Sequence, residues 1–242
     1  FKTTSEALAN PLGLPQNPTI ENYVEAWKAM QYPRVLKNNV IMTGVSVIGI
    51  IFICAPAAYS IARRNHRLNR FLYFAFLSGL IVPFQLALIP LYRISSAFNL
   101  IDNLRGIIVI QIMIHIPFSI FLFRSFINTI PIELEQAASI DGCGVFRTFW
   151  SIVFPLLKPV ISTVAILNAL WIWNDFLMPL LFLSSRENTV MTLEVQRHIG
   201  QFLANWTVIF PIMVLSILPF LIFYLFMQQY IIKGIASGSL KS

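Results

Sequence analysis

The sequence predicts an all-α polytopic membrane protein, and three observations carry that prediction. Charged residues make up only 11% of the 242 positions, hydrophobic residues make up 57%, and the mean hydropathy is +0.74. A water-soluble domain carries about 25% charged residues, so much of this surface has to face lipid. Five segments also reach the roughly 20 mostly apolar residues that a bilayer-spanning helix requires. Finally, Arg63, Arg64, Arg67 and Arg70 crowd into one short connection between two of those segments, the pattern that marks the cytoplasmic side of a membrane protein. The net charge of +7 is therefore no sign of nucleic acid as a partner, because the basic residues are not spread along a polar face with interleaved aromatics. Membrane lipid is the partner that the composition implies.

The elements follow in order. Residues 1–38 form an extracytoplasmic segment: an extended Pro-rich piece over 10–18, then a short amphipathic helix near 20–30. Glu21, Glu25 and Lys28 lie on one side of that helix and Tyr23, Val24 and Trp27 on the other, which places it at the membrane interface or against a partner. Residues 39–242 form the transmembrane domain, with spans at about 39–62, 71–92, 106–123, 160–183 and 206–227. Several contain Pro (Pro56, Pro83, Pro117, Pro179, Pro211, Pro219), which membrane helices tolerate because neighbours satisfy the freed backbone groups. With the arginine cluster inside, five passes put 1–38, 93–105 and 184–205 outside and 124–158 and 228–242 inside. Arg124, Arg147, Lys158, Lys233 and Lys241 then join the inner side. The outer loops after residue 92 hold Arg93, Arg105, Arg186 and Arg197, and the N-terminal segment holds Lys2, Lys28, Arg34 and Lys37. Cys54 lies in an apolar run and Cys143 in a polar loop, so neither a disulfide nor a metal site is indicated.

The stretch 131–159 is unlike an ordinary connector. Pro131 suits the first turn of a helix, and Glu133 and Glu135 favour its positive end. That helix runs through Ala137 and Ala138 and is expected to stop at Asp141–Gly142, where Gly readily takes the left-handed conformation. A second helix over 145–154 carries Phe146, Phe149, Trp150 and Val153 at three- and four-residue spacing and ends at Pro155. Two short helices joined by a Gly corner thus project on the cytoplasmic side, and the small residues Ala137, Ala138, Gly142 and Gly144 admit a close neighbour.

This stretch resembles the EAA loop of ABC-importer permeases, with Gln136-Ala137-Ala138, Asp141-Gly142 and Phe154-Pro155 in the motif positions. Gln136 departs from the usual Glu, although Glu135 stands beside it. Further matches are Asn22-Tyr23 with Trp27, Asn38-Asn39, Ala57-Ala58-Tyr59-Ser60, Pro83 with Pro90-Leu91-Tyr92, Trp173-Asn174-Asp175-Phe176, and Gly234 with Gly238. Together they are similar to the smaller permease subunit of maltose/oligosaccharide-type carbohydrate importers over nearly the whole chain. The resemblance implies a second homologous permease completing the pore, an ABC ATPase dimer that binds ATP and Mg, and an extracytoplasmic solute-binding protein. It implies no cofactor on this chain and no catalytic residue. It assigns Glu135, Gln136, Ala137, Ala138, Asp141, Gly142, Phe146 and Pro155 to ATPase docking. It also implies a sixth, N-terminal helix, of which Phe1-Lys2-Thr3 reads as the end.

The residues themselves add two exclusions and two candidate sets. No Gly-rich Lys-Ser/Thr phosphate loop is present, so ATP hydrolysis is expected in a separate partner. An intramembrane enzyme needs a paired acid/base or metal set within the bilayer, and Asp175 is the one acidic residue well inside a predicted span. Polar groups at membrane depth are functional candidates: Asn174 and Asp175 with Trp171 and Trp173, then Asn168, Gln85, Gln111 and His115. Aromatic faces and planar polar groups suit a sugar, and an interhelical hydrogen bond with aromatic packing is the alternative. In the outer loop 184–205, Glu187, Asn188, Thr192 and Gln196 are expected to meet the binding protein or its cargo. A polyamine, phosphate compound or other small solute is the alternative cargo.

Overall fold

The computed structural model describes residues 1–10, 12–64, 66–201 and 206–239, with the backbone alone for 201 and 226–239. Readings that fall on 11, 65, 202–205 and 240–242, parts of the Pro-rich piece, the arginine connection, the outer loop and the tail, lie outside the described residues. Every regular element among the described residues is helical. In chain order they are α1 (Thr4–Ala9), α2 (Glu21–Ala29), α3 (Tyr32–Arg63), α4 (Arg67–Ile81), a 3-10 turn (Phe84–Ala87), α5 (Leu88–Ala97) and α6 (Leu104–Ile127). The connection after α6 holds α7 (Glu133–Ile140), α8 (Val145–Thr148), a π-helical turn (Phe149–Val153) and α9 (Phe154–Leu156). Then come α10 (Lys158–Asn174), α11 (Leu177–Phe182), α12 (Met191–Gln201) and α13 (Trp206–Ser239).

Among the described residues, three helices are long and apolar enough to cross a bilayer by themselves: α3, α6 and residues Trp206–Leu225 of α13. With 32 and 24 residues at about 1.5 Å each, α3 and α6 outreach the roughly 30 Å of hydrocarbon. Pro56, Pro117, Pro211 and Pro219 sit inside these continuous helices.

The other two predicted spans are not single straight helices. The segment expected at 71–92 bends by 98° between Arg67–Ile81 and Phe84–Ala97. Pro83 supplies the reason: it disfavours helical backbone in the residue before it, and Val82 is extended at φ −75°, ψ 121°. The segment expected at 160–183 stops at Asn174 and resumes as α11. Asp175 is extended, and its carboxylate accepts hydrogen bonds from the Leu177 and Met178 amides at 3.0 and 3.3 Å, so it caps the new helix. A further bend of 73° separates Val145–Leu156 from α10.

The core lies where α3, α6 and α10 meet, around Ile50, Ile107, Ile110, Phe123, Val164 and Ile172. Helix α13 packs against α10 and α2. A second cluster joins Ala26, Met30, Tyr32, Val35, Met191 and Ile212. The N-terminal helix therefore docks on the bundle through Ala26 and Met30, while Val24 and Trp27 of its expected apolar face stay about two-fifths exposed.

Candidate functional site

The connection between α6 and α10 folds into a corner whose geometry follows from Gly142. Helix α7 ends with Cys143 N–H donating to the Ala138 carbonyl at 2.9 Å and Gly142 N–H to the Ser139 carbonyl at 3.1 Å. That pairing is a Schellman stop, and Gly142 takes φ +80° with nothing within 4 Å of the place a Cβ would occupy. The corner leaves Ile140, Val145 and Phe146 exposed by 87%, 61% and 78%. Gln136, Ala137, Asp141 and Gly142 are exposed beside them. Large apolar side chains left open at a tight polar turn mark a contact surface. Ile140 and Val145 were not singled out from sequence, although their placement on either side of the glycine corner was the available signal.

Two residues assigned to docking point the other way. Ala138 is buried. Glu135 accepts from the Tyr59 hydroxyl at 2.7 Å and pairs with the Arg63 Nε at 2.7 Å, with side-chain exposures of 12% for Glu135 and 14% for Arg63. Arg63 also donates to the Ile130 carbonyl at 2.8 Å. Glu135 is thus a tie from α7 to the last turns of α3, and Arg63 is half of that tie rather than a loose member of the arginine cluster. Spacing cannot reveal a partner more than seventy positions away.

The second helix does not end at Pro155. Pro155 stands in the first turn of α9, where its missing N–H costs nothing, and the chain stays helical to Leu156 through the π-helical turn. Of the expected apolar stripe, Phe149 and Val153 are buried while Phe146 is exposed. Phe149 packs on Tyr59 at 5.0 Å between ring centroids, and Trp150 and Phe154 flank Phe52 at 5.8 and 6.1 Å. The rings seat this helix along α3, beside the Glu135 tie.

The residues proposed from sequence for a substrate path separate. Trp171 is exposed on one face of α10 with His115 and Phe118 at 5.9 and 4.8 Å. Asn168 is buried, donating to Ser119 Oγ and the Val164 carbonyl. Asp175 accepts from Gln111 Nε2 at 2.6 Å besides capping α11. Asn168 and Asp175 are thus held by partners within the bundle. Trp173 and Asn174 instead line a pocket of about 330 Å³ between α10, α12 and α13, together with Thr192, Gln196, Ser216 and Phe220. The structure therefore brings two members of each predicted set to one place, and Ser216 joins them from α13.

Residues 184–201 are not a free loop. Asp102 accepts from the Ser184 and Ser185 amides at 3.0 and 2.9 Å and from Ser185 Oγ at 2.9 Å, and Asn188 Nδ2 donates to the Asp102 carbonyl at 2.6 Å. Partial burial pushes the Asp102 carboxyl up, but these bonds outweigh it and hold the group below the ordinary carboxylate range. Helix α12 then folds back, with Glu194 buried against Thr189, Arg186 and Arg197. Asn188 is thereby occupied in holding the turn, whereas Glu187 is exposed and Thr192 and Gln196 face the pocket.

Comparison with known proteins adds an independent finding. The family model described as "Binding-protein-dependent transport system inner membrane component" matches residues 37–237. A melibiose/raffinose/stachyose import permease of Bacillus subtilis (strain 168) is 32% identical over 94% of this chain and 83% of its own length. A multiple sugar-binding transport system permease of Streptococcus mutans is 33% identical over 100% of this chain and 88% of its own. A crystal structure of a bacterial ABC transporter involved in importing the acidic polysaccharide alginate superposes with a TM-score of 0.80 at 24% identity. It covers 90% of this chain and 81% of that chain, and the likeness is one of fold.

Proposed function

This chain belongs to the family of binding-protein-dependent transport system inner membrane components, and from that premise we propose that it is the permease subunit that forms half of the pore of a prokaryotic sugar or oligosaccharide importer. It sits in the cell membrane with the arginine cluster inside. It pairs with a second permease, receives cargo from an extracytoplasmic binding protein, and is driven by a separate ATPase dimer that binds ATP and Mg.

The observation that carries the reading is the corner at Gly142, where Ile140, Val145 and Phe146 are open beside Gln136, Ala137 and Asp141. This surface seats the ATPase. The Glu135 tie and the aromatic packing on α3 make the connection rigid, so displacement of the corner reaches the bundle as a rigid-body motion. Cargo passes the pocket of Trp173, Asn174, Thr192 and Gln196. Among the described residues no charged side chain lines that pocket. That favours a neutral polyol over a polyamine, which needs carboxylates, or a phosphate compound, which needs cations.

The test is uptake by the complete transporter in proteoliposomes. Replacing Ile140 and Phe146 by Ser is expected to abolish ATP-dependent uptake with the protein still inserted, and unchanged uptake refutes the docking role. A panel of neutral oligosaccharides, putrescine and phosphate then reads the cargo; transport of either charged solute in preference to every sugar overturns the sugar assignment.

A further inference from the structure

A pocket of about 370 Å³ opens where α3, α4 and α6 converge on the side of the arginine cluster, lined among others by Arg64, His66, Arg70, Tyr73, Phe74 and Arg124. We propose that it binds a phosphate group, supplied by the headgroup of an anionic phospholipid.

Its charge is all of one sign. Among the described residues no Asp or Glu lines it, and Glu135, one of the carboxylates on the same side, is held by Tyr59 and Arg63. None of Arg64, Arg70 and Arg124 has a carboxylate partner among the described residues. Like charges gathered on one site repel unless an anion joins them. The arrangement is held in place: Asn69 Nδ2 donates to the Ser60 and Arg64 carbonyls at 2.9 and 3.1 Å, fixing the turn between α3 and α4.

The donors have no acceptor among the described residues. The Arg124 guanidinium lies 3.7 Å over the Tyr73 ring centroid, an orientation set by cation–π attraction. Its Nε is buried with no hydrogen-bond acceptor in reach, so the terminal nitrogens of the stacked guanidinium are the donors left for an anion. His66 Nδ1 accepts from the Leu68 amide at 3.2 Å, which leaves Nε2 to carry the ring proton. His66 is also the cap of the 15-residue α4, whose N-terminus adds positive potential. A phosphate offers several acceptor oxygens to just such a set of donors.

Tyr73 and Phe74 decide the source. They stand one turn along α4 from Arg70, and Phe71 and Phe74 are exposed by 68% and 56%. A headgroup phosphate at the membrane surface with chains descending beside these rings matches both chemistries, as basic pockets between membrane helices do. A free anion uses only the first.

The experiment titrates the purified transporter complex, delipidated in neutral detergent, with phosphatidylglycerol or phosphatidylcholine of identical chains, and reads bound lipid by native mass spectrometry. Phosphatidylglycerol is expected to bind preferentially. Each of Arg64→Gln, Arg70→Gln and Arg124→Gln weakens it about fivefold, whereas Arg67→Gln, which removes a charge beside the pocket, leaves it unchanged. Equal binding of the two lipids overturns the proposal, as does an Arg67→Gln loss equal to that of Arg124→Gln, which reads bulk surface charge. A millimolar inorganic phosphate arm separates the sources. Undiminished lipid binding supports the headgroup, and full displacement retains the phosphate site but overturns the lipid as its source.

Discussion

Glu135→Gln tests how the corner around Gly142 is tied to the bundle. The substitution keeps the side chain's shape and one acceptor oxygen for Arg63, with the Tyr59 hydroxyl turning to accept from the new amide N–H, but removes the charge that Arg63 meets at 2.7 Å. Losing one partner of a fully buried pair costs about 3–5 kcal/mol. Here 14% and 12% of the two side chains remain exposed, so water screens part of that cost. Arg63 also keeps the Ile130 carbonyl at 2.8 Å and regains a neutral bond worth about 1 kcal/mol. The net loss expected is about 2 kcal/mol, or a roughly 30-fold larger population of the undocked connection. Limited trypsin digestion at Arg147, in the short helix after the corner, reads that population when reclosing outruns cleavage. Arg63→Met is expected to raise cleavage similarly, and the double variant no further, because both remove one interaction. Cleavage unchanged by Glu135→Gln, or additive effects in the double variant, refutes the tie.

Further outcomes follow from the same geometry. Gly142→Ala meets no atom within 4 Å but must hold φ +80°, at a cost of about 1–2 kcal/mol; uptake per ATP hydrolysed should fall with insertion unchanged, as measured in proteoliposomes. Thr192→Val removes the hydroxyl that donates to the Asp175 carbonyl at 2.8 Å and should cost about 1 kcal/mol at the break between α10 and α11, read as faster amide exchange there. At Asp102 the folded carboxyl titrates below its usual range, so its contribution is complete above the unfolded pKa and is lost as pH falls through the folded value. Amide exchange at Ser184 and Ser185, corrected for its intrinsic pH dependence, should accelerate in that acid window, and Asp102→Asn should remove the acceleration.

Composition and apolar length made the membrane class and three of the helices legible, because lipid exposure imposes a requirement that each segment meets by itself. The two broken elements were less so. Pro83 breaks its helix while Pro56, Pro117, Pro211 and Pro219 do not, and neighbouring helices rather than local sequence decide which freed carbonyl finds a partner. Asp175 was visible as an intramembrane acid, but its use as a cap and as the acceptor for Gln111 needed the fold. The Gly142 stop was readable from local chemistry, since positive φ suits glycine. The tie that Glu135 makes needed the fold, because its partners, Tyr59 and Arg63, come from a distant helix. The joining of Trp173 and Asn174 with Thr192 and Gln196 likewise depends on α12 folding back, which an amphipathic pattern alone does not locate.

The central claim is that the corner around Gly142 is where an ATPase subunit seats. A photo-crosslinking residue placed at Phe146, with a second at Leu218, exposed within the apolar stretch of α13, as reference, measures this in membranes holding the complete transporter. The account predicts a crosslink from position 146 to the ATPase that changes in yield between nucleotide-free and ATP-bound states, and none from 218. Equal crosslinking from both positions, or a product at 146 that contains only lipid or this chain, contradicts it.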